Sequence, residues 1–122
     1  IIENAIKKLR KISLKNEIYA AIGPCIGTKS YEVDINFYKK FISKSKKNFI
    51  YFVKKNKNKK LFNLRKYVND KLIKLDVRVD HINKDTFKES TKFFSYRRSQ
   101  KLGHSDYGRC ISVIALTKFS QN

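Results

Sequence analysis

A five-residue apolar run, Ile18-Tyr19-Ala20-Ala21-Ile22, closed by Gly23-Pro24, follows an amphipathic stripe, and this succession restricts the chain to folds that lay helices on a sheet. In the stripe, Ile2, Ala5, Ile6 and Leu9 recur at three- and four-residue spacing with Lys7, Lys8 and Arg10 on the other face, so a helix opens the chain, already under way at Ile1. The apolar run is short and ends in a turn signal, as a buried strand feeding a tight loop does. The pattern then repeats. Asp34 predicts the N-cap of a second helix with Ile35, Tyr38, Phe41 and Ile42 on one stripe, ending near residues 43–46. The aromatic and β-branched residues 48–53 predict a strand, and the lysine-asparagine run 54–60 an exposed loop. Asn63 predicts the cap of a third helix whose apolar face is Leu64, Tyr67, Val68, Leu72 and Leu75. Residues 77–82 alternate as a half-buried strand, and the nearly continuous apolar run 110–116 predicts a last strand covered on both faces. The expected fold class is α/β, a layered mixed β-sheet with flanking helices, with neither internal repeat nor linker.

At 122 residues the chain has room for one domain. Its 41% hydrophobic and 13% aromatic content excludes a disordered basic tail and requires a packed core. A formal charge of +19 would ordinarily point to nucleic acid, yet the basic residues are 23 Lys and only 6 Arg, beside 14 Ile and 10 Asn. That joint bias toward AT-rich codons arises from genome composition without selection for DNA, and Arg, not Lys, forks onto guanine edges. We therefore expect a solvated basic surface with no dedicated nucleic-acid partner. The alternative is a non-enzymatic basic module that binds nucleic acid non-specifically. No stretch reaches the roughly 20 apolar residues of a membrane span, no leader pattern opens the chain, and two cysteines are too few for a disulfide scaffold. These features predict a cytoplasmic protein with no membrane partner. The chain begins Ile1-Ile2-Glu3-Asn4 and contains no Met, which predicts that it is part of something longer or the remnant of a degraded gene.

Two segments stand out chemically. Residues 23–30, Gly-Pro-Cys-Ile-Gly-Thr-Lys-Ser, miss the phosphate-cradling pattern G-x-x-x-x-G-K-[ST] because Thr28 occupies the second Gly position and Pro24 removes an amide donor; a tight strand-exit loop is the expectation. In Phe93-Phe94-Ser95-Tyr96-Arg97-Arg98, adjacent guanidiniums beside aromatic planes suit an oxyanion flanking a flat ring, or else an Arg pinned to an internal carboxylate or a solvated strand end. An extended segment would send Arg97 and Arg98 to opposite faces. His81, His104, Cys25 and Cys110 show no metal-ligand spacing, and Cys25 suits nucleophilic work only with a His beside it in space, a small buried cysteine being the alternative. Asp85-Thr86 suits the start of a short capped turn.

Ile22-Gly23-Pro24-Cys25-Ile26-Gly27 followed by Tyr31-Glu32-Val33 resembles the G-P-x-I-G-x-x-x-Y-E-V signature of the multicopper polyphenol oxidase, or laccase-domain, family, now usually described as purine nucleoside phosphorylases. Phe93-Phe94-Ser95-Tyr96-Arg97-Arg98 resembles that family's F-F-S-Y-R-R, and the spacing between the two agrees. Leu61-Phe62-Asn63-Leu64 stands where members read F-D-L, with Asn63 in place of Asp, and Asp85-Thr86, Asp106-Tyr107-Gly108-Arg109 and Ile111-Ser112 resemble alphaproteobacterial forms. The resemblance covers almost all 122 residues and implies the C-terminal portion of a larger single domain, with the N-terminal half missing. It implies a zinc-dependent enzyme, copper being suggested by the older name, that splits adenosine, inosine or guanosine with phosphate and can deaminate adenosine. The metal and catalytic His and Cys lie in motifs such as H-A-G-W-R-G, which do not occur here, so no catalytic or metal residue is expected in this chain and the chain alone is expected to be inactive. Tyr96, Arg97 and Arg98 are the residues expected to contact purine nucleoside or phosphate. The oligomeric state is left open.

Overall fold

A computed structural model describes residues 1–12 and 17–117. It contains helix α1 (Ile2–Ile12), strand β1 (Ile18–Ile22), strand β2 (Glu32–Asp34) and helix α2 (Ile35–Lys44). Strands β3 (Phe52–Lys54) and β4 (Lys59–Phe62), helix α3 (Leu64–Lys74), strand β5 (Val77–His81) and the short helix α4 (Tyr96–Lys101) follow. The fold is α/β, with parallel and antiparallel sheets flanked by helices. β1 and β5 form a parallel pair with Ile18 opposite Val77 and Ile22 opposite His81. A second, antiparallel sheet has the order β2-β4-β3, with Val33 opposite Lys60 and Val53 opposite Leu61.

Each sheet has its own core. Ile18, Ala20 and Ile22 alternate with Tyr19 and Ala21, so one face of the parallel pair turns to Ile6 of α1 and Val68 and Leu72 of α3 while the other stays exposed. The antiparallel sheet builds an aromatic core around Phe62, 2% exposed, against Phe37 and Phe41 of α2 and Tyr67 of α3. The Phe52 and Phe62 rings stack at 4.9 Å, and the Phe62 ring meets that of Phe37 edge-on at 5.3 Å. α3 serves both cores, with Leu64 and Tyr67 toward one and Val68 and Leu72 toward the other.

The caps follow the sequence. Asp34 accepts the Phe37 amide at 2.7 Å and Asn63 the Lys66 amide at 3.0 Å. Leu75 caps α3 and Asp76, whose φ of 56° is left-handed, turns the chain away from it, and Arg10 of α1 donates to the Leu75 and Asp76 carbonyls there.

Three expectations are corrected. Residues 46–51 wind as a 3-10 helix, and only Phe52–Lys54 is strand. The Asn48 side chain donates to the Phe41 carbonyl at the end of α2, and the winding drives Tyr51 into the core, where its hydroxyl donates to Asp70 at 3.0 Å. The lysine run is not wholly loop, because Lys59 and Lys60 begin β4 and the connection tightens into a hairpin in which the Lys55 and Asn56 amides donate to Lys59. Residues 110–116 form no strand, since no described segment pairs with them, and Val113 and Leu116 are 83% and 98% exposed instead of covered. Among the described residues no helix is long and apolar enough to cross a membrane.

Candidate functional site

The loops that leave β1 and β5 run side by side. The Cys25 amide donates to the Lys84 carbonyl at 3.3 Å and the Thr86 amide to the Cys25 carbonyl at 3.1 Å, so Cys25 and Asp85 form a parallel bridge beyond the strand ends. Arg65, in the first turn of α3, clamps both loops by donating to the Ile22, Gly23 and Lys84 carbonyls at 3.3–3.4 Å. Loops at the carboxyl ends of parallel strands are where open α/β sheets place ligands.

Asp85 closes this junction. Its carboxylate accepts the Ser30 hydroxyl at 2.8 Å and the Phe87 amide at 2.9 Å. Burial works to raise its pKa, but hydrogen bonds from the Gly27 amide, the Ser30 hydroxyl and the Phe87 and Lys88 amides prevail and hold it below the ordinary carboxylate value. The approach leaves no space at Gly27, where a Cβ would fall 2.5 Å from the Asp85 Oδ2. Asp85 does begin a turn, as expected, and its tie to the first signature is what sequence reasoning missed. Residues 28–30 then form a single 3-10 turn running into β2, with no α-helix at Lys29, so the loop is a strand exit and not a triphosphate cradle.

Residues 93–98 are not extended. Ser95, buried, caps α4 by accepting the Arg98 amide at 3.3 Å, and Gly103 at φ 71° ends the helix, with the Gly103 amide donating to Gln100 and that of His104 to Ser99. Arg97 and Arg98 therefore diverge by helical rotation instead of strand alternation. Arg98 donates to the Thr86, Phe87 and Phe93 carbonyls, so its guanidinium braces the segment that follows Asp85. Arg97 donates Nη1 to the Glu32 carbonyl at 2.8 Å and lies 5.3 Å from the centre of the Tyr31 ring. Tyr96 is half exposed and meets the Tyr107 ring edge-on at 4.8 Å. The Phe94 ring packs on Gly108, whose Cβ would fall 2.3 Å from it.

The outcome is a concavity of about 250 Å³ lined by Ile26 and Tyr31 from the first signature, Phe94, Ser95, Tyr96 and Arg97 from the second, and Thr86 between them. Of the expected site residues, Tyr96 and Arg97 line it and Arg98 lies behind it. Burial raises the Cys25 thiol above its ordinary pKa, with nearby Arg65 acting in the opposite sense, and His81 is hydrogen-bonded to Asn69 at 3.0 Å. Nothing here activates Cys25 as a nucleophile.

Comparison with known proteins gives this geometry a family. Residues 1–117 match the family model described as multi-copper polyphenol oxidoreductase laccase. A purine nucleoside phosphorylase of Rickettsia conorii is 36% identical over 118 residues, and one of Rickettsia prowazekii 40% identical over 120. Each alignment takes in 95% of this chain and 49% of the relative, so the chain spans about half the length of the curated relatives it matches. Two crystal structures share the fold: a Neisseria meningitidis protein of family model DUF152 (TM-score 0.65, 23% identity, 78% of this chain and 41% of that one) and the Bacillus licheniformis hypothetical protein YfiH (TM-score 0.70, 20% identity, 80% and 39%). The chain belongs to the multi-copper polyphenol oxidoreductase laccase family.

Proposed function

We propose that this chain is the C-terminal portion of a larger single domain, residues 1–122 forming its second half, and that the complete protein is a purine nucleoside phosphorylase. One observation carries the reading: relatives at 36% and 40% identity bear that name and align with nearly all of this chain along half of themselves. Phosphorolysis forms a bond from a phosphate oxygen to ribose C1′ and breaks the bond to the purine nitrogen, which leaves with the electron pair and takes up a proton. Such a site needs cationic donors for the phosphate and flat, apolar walls for the base.

The concavity offers both. Arg97 is held through Nη1 by the Glu32 carbonyl, with its guanidinium over the Tyr31 ring, and its remaining donors suit phosphate. Tyr96, with Phe94 and Tyr31, suits the base. Arg98 lends position to the segment without touching substrate.

The family name implies a metal, and this chain's residues do not fit one: among the described residues no three His, Cys, Asp or Glu side chains come together. Zinc in the complete protein, deamination of adenosine, inactivity of the chain alone and a cytoplasmic location belong to the same proposal.

The test is to place the upstream half of the R. conorii relative ahead of Ile1 and incubate with inosine and phosphate, following purine release by chromatography. Release at a rate well above that of this chain alone, near the ordinary enzyme range of about 1–1,000 per second, supports the reading. Equal rates with and without the upstream half would overturn it.

A further inference from the structure

The unpaired edge of β1 points to a docking strand. Among the described residues only β5 pairs with β1, and the Ile82 amide donates to the Ile22 carbonyl at 2.9 Å, which fixes the direction of the peptide groups. In a strand, the N–H and C=O of one residue share an edge and successive residues alternate, so Ile18, Ala20 and Ile22 turn theirs to β5. Those of Tyr19 and Ala21 face the other edge, where no described residue bonds to them.

That edge does not open onto a polar surface. It borders a groove of about 520 Å³ whose walls include Leu9, Ile18, Ala20, Ile111 and Ile114. The far wall is the apolar segment whose strand pairing was expected and not found. Its direction is opposite to that of β1: Ser112 lies beside Gly23, a Cβ there falling 3.7 Å from its Oγ, while residues 114–116 face residues 17–19 across a second cavity of about 280 Å³. Yet it makes no backbone hydrogen bond with β1, and Ile111, Val113 and Leu116 stand out in the open. Parallel strands are ordinarily covered on both faces, whereas Tyr19, Ala21, Arg78 and Asp80 leave one face of this pair bare. A free apolar edge of this kind templates the addition of another strand.

We propose that an extended segment from the half of the protein that its relatives possess and this chain lacks adds to β1 at this edge, bonding to Tyr19 and Ala21 and packing against residues 111–116. The occupant follows from length, since the curated relatives carry about as much chain again outside the match. The inference rests on the reading of this chain as half of a domain, and it specifies where the other half attaches.

Amide hydrogen exchange tests it, comparing this chain alone with the chain joined to the upstream half of the R. conorii relative. In the chain alone, the Ala20 and Ile22 amides should exchange slowly and those of Tyr19 and Ala21 fast. Joining the upstream half should slow Tyr19 and Ala21 at least 100-fold and leave the other two slow. Ala21→Pro removes an edge-facing donor and leaves the donors turned to β5 in place, so it should lower the melting temperature of the chain alone by no more than a few degrees, through its fixed φ, and abolish the protection at Tyr19 in the joined protein. Tyr19 and Ala21 amides that stay fast in the joined protein would overturn the proposal. So would slow exchange of both in the dilute chain alone, which would give the edge to residues 111–116, or protection that grows with the concentration of the chain alone, which would give it to a second copy. Protection without purine release would keep the docking edge and count against the phosphorylase reading.

Discussion

Arg97 donates a hydrogen bond of 2.8 Å to the carbonyl of Glu32, joining two signature segments that lie 65 residues apart in the chain. Glu32 belongs to β2 of the antiparallel sheet and Arg97 to α4 beyond the parallel pair, so this bond helps define the wall of the concavity. Its neighbour makes different contacts, and the two arginines should separate experimentally. Arg98→Ala would leave the Thr86, Phe87 and Phe93 carbonyls without their charged donor, at a cost of about 2–3 kcal/mol in folding stability, read as a lowered denaturation midpoint. Arg98→Lys should not restore it, because one ammonium does not reproduce the fork. Equal midpoints for wild type and Arg98→Ala would contradict the bracing role.

The Asp85 junction predicts a pH dependence. Its folded pKa lies below the unfolded carboxylate value of about 3.9, so the stability it contributes is fully present above that value and is lost as pH falls through the folded pKa. Asp85→Asn should therefore be less stable than wild type at pH 7, and the gap should narrow on acidification below about pH 4. Urea midpoints of the two proteins across pH 2–7 check this; a gap that widens toward low pH would contradict it.

Two glycines sit against side chains of unlike mobility. Gly27→Ala presses a methyl onto a carboxylate fixed by several hydrogen bonds, whereas Gly108→Ala meets the Phe94 ring, which is 59% exposed. Gly27→Ala should cost about 1–3 kcal/mol and Gly108→Ala clearly less, by thermal melts. The reverse order would contradict the packing described.

The parts legible in the sequence are those governed by local chemistry. The apolar stripe of α1, the caps Asp34 and Asn63 and the runs at β1 and β5 identified their elements because period and capping act within a few residues. The segment 48–51 has the pattern of a strand, whereas its winding is set by the bond of Asn48 back to Phe41 at the end of α2 and by that of Tyr51 to Asp70 on α3, neither of which the residue pattern displays. α4 had a signal in Ser95 and in Gly103 eight residues later, a start and stop that the aromatic and arginine content overshadowed. Residues 110–116 have the composition of a buried strand without a partner among the described residues, and strand pairing is not a local property. For the site, the signatures located the residues; only the fold separated Arg97 from Arg98.

The lysines predict how the chain meets nucleic acid. Several are occupied locally: Lys55 and Lys59 pair with Glu32, and Lys66 with Asp70. Binding to any duplex should be indifferent to sequence and should collapse between about 50 and 200 mM salt, in a filter-binding titration with two unrelated duplexes. Tight binding at 200 mM salt with a strong preference for one duplex would promote the basic-module alternative.

The most direct measurement of the central claim is phosphate saturation of purine release in the joined protein, with and without Arg97→Ala. Arg97→Ala should raise the KM for phosphate at least tenfold under conditions where the protein remains folded, as expected for the loss of a charged donor to an oxyanion, beside a fall in folding stability of about 1.5–3 kcal/mol from the lost bond to Glu32. An unchanged phosphate KM in a protein that still releases purine would remove the concavity from the site and contradict the account.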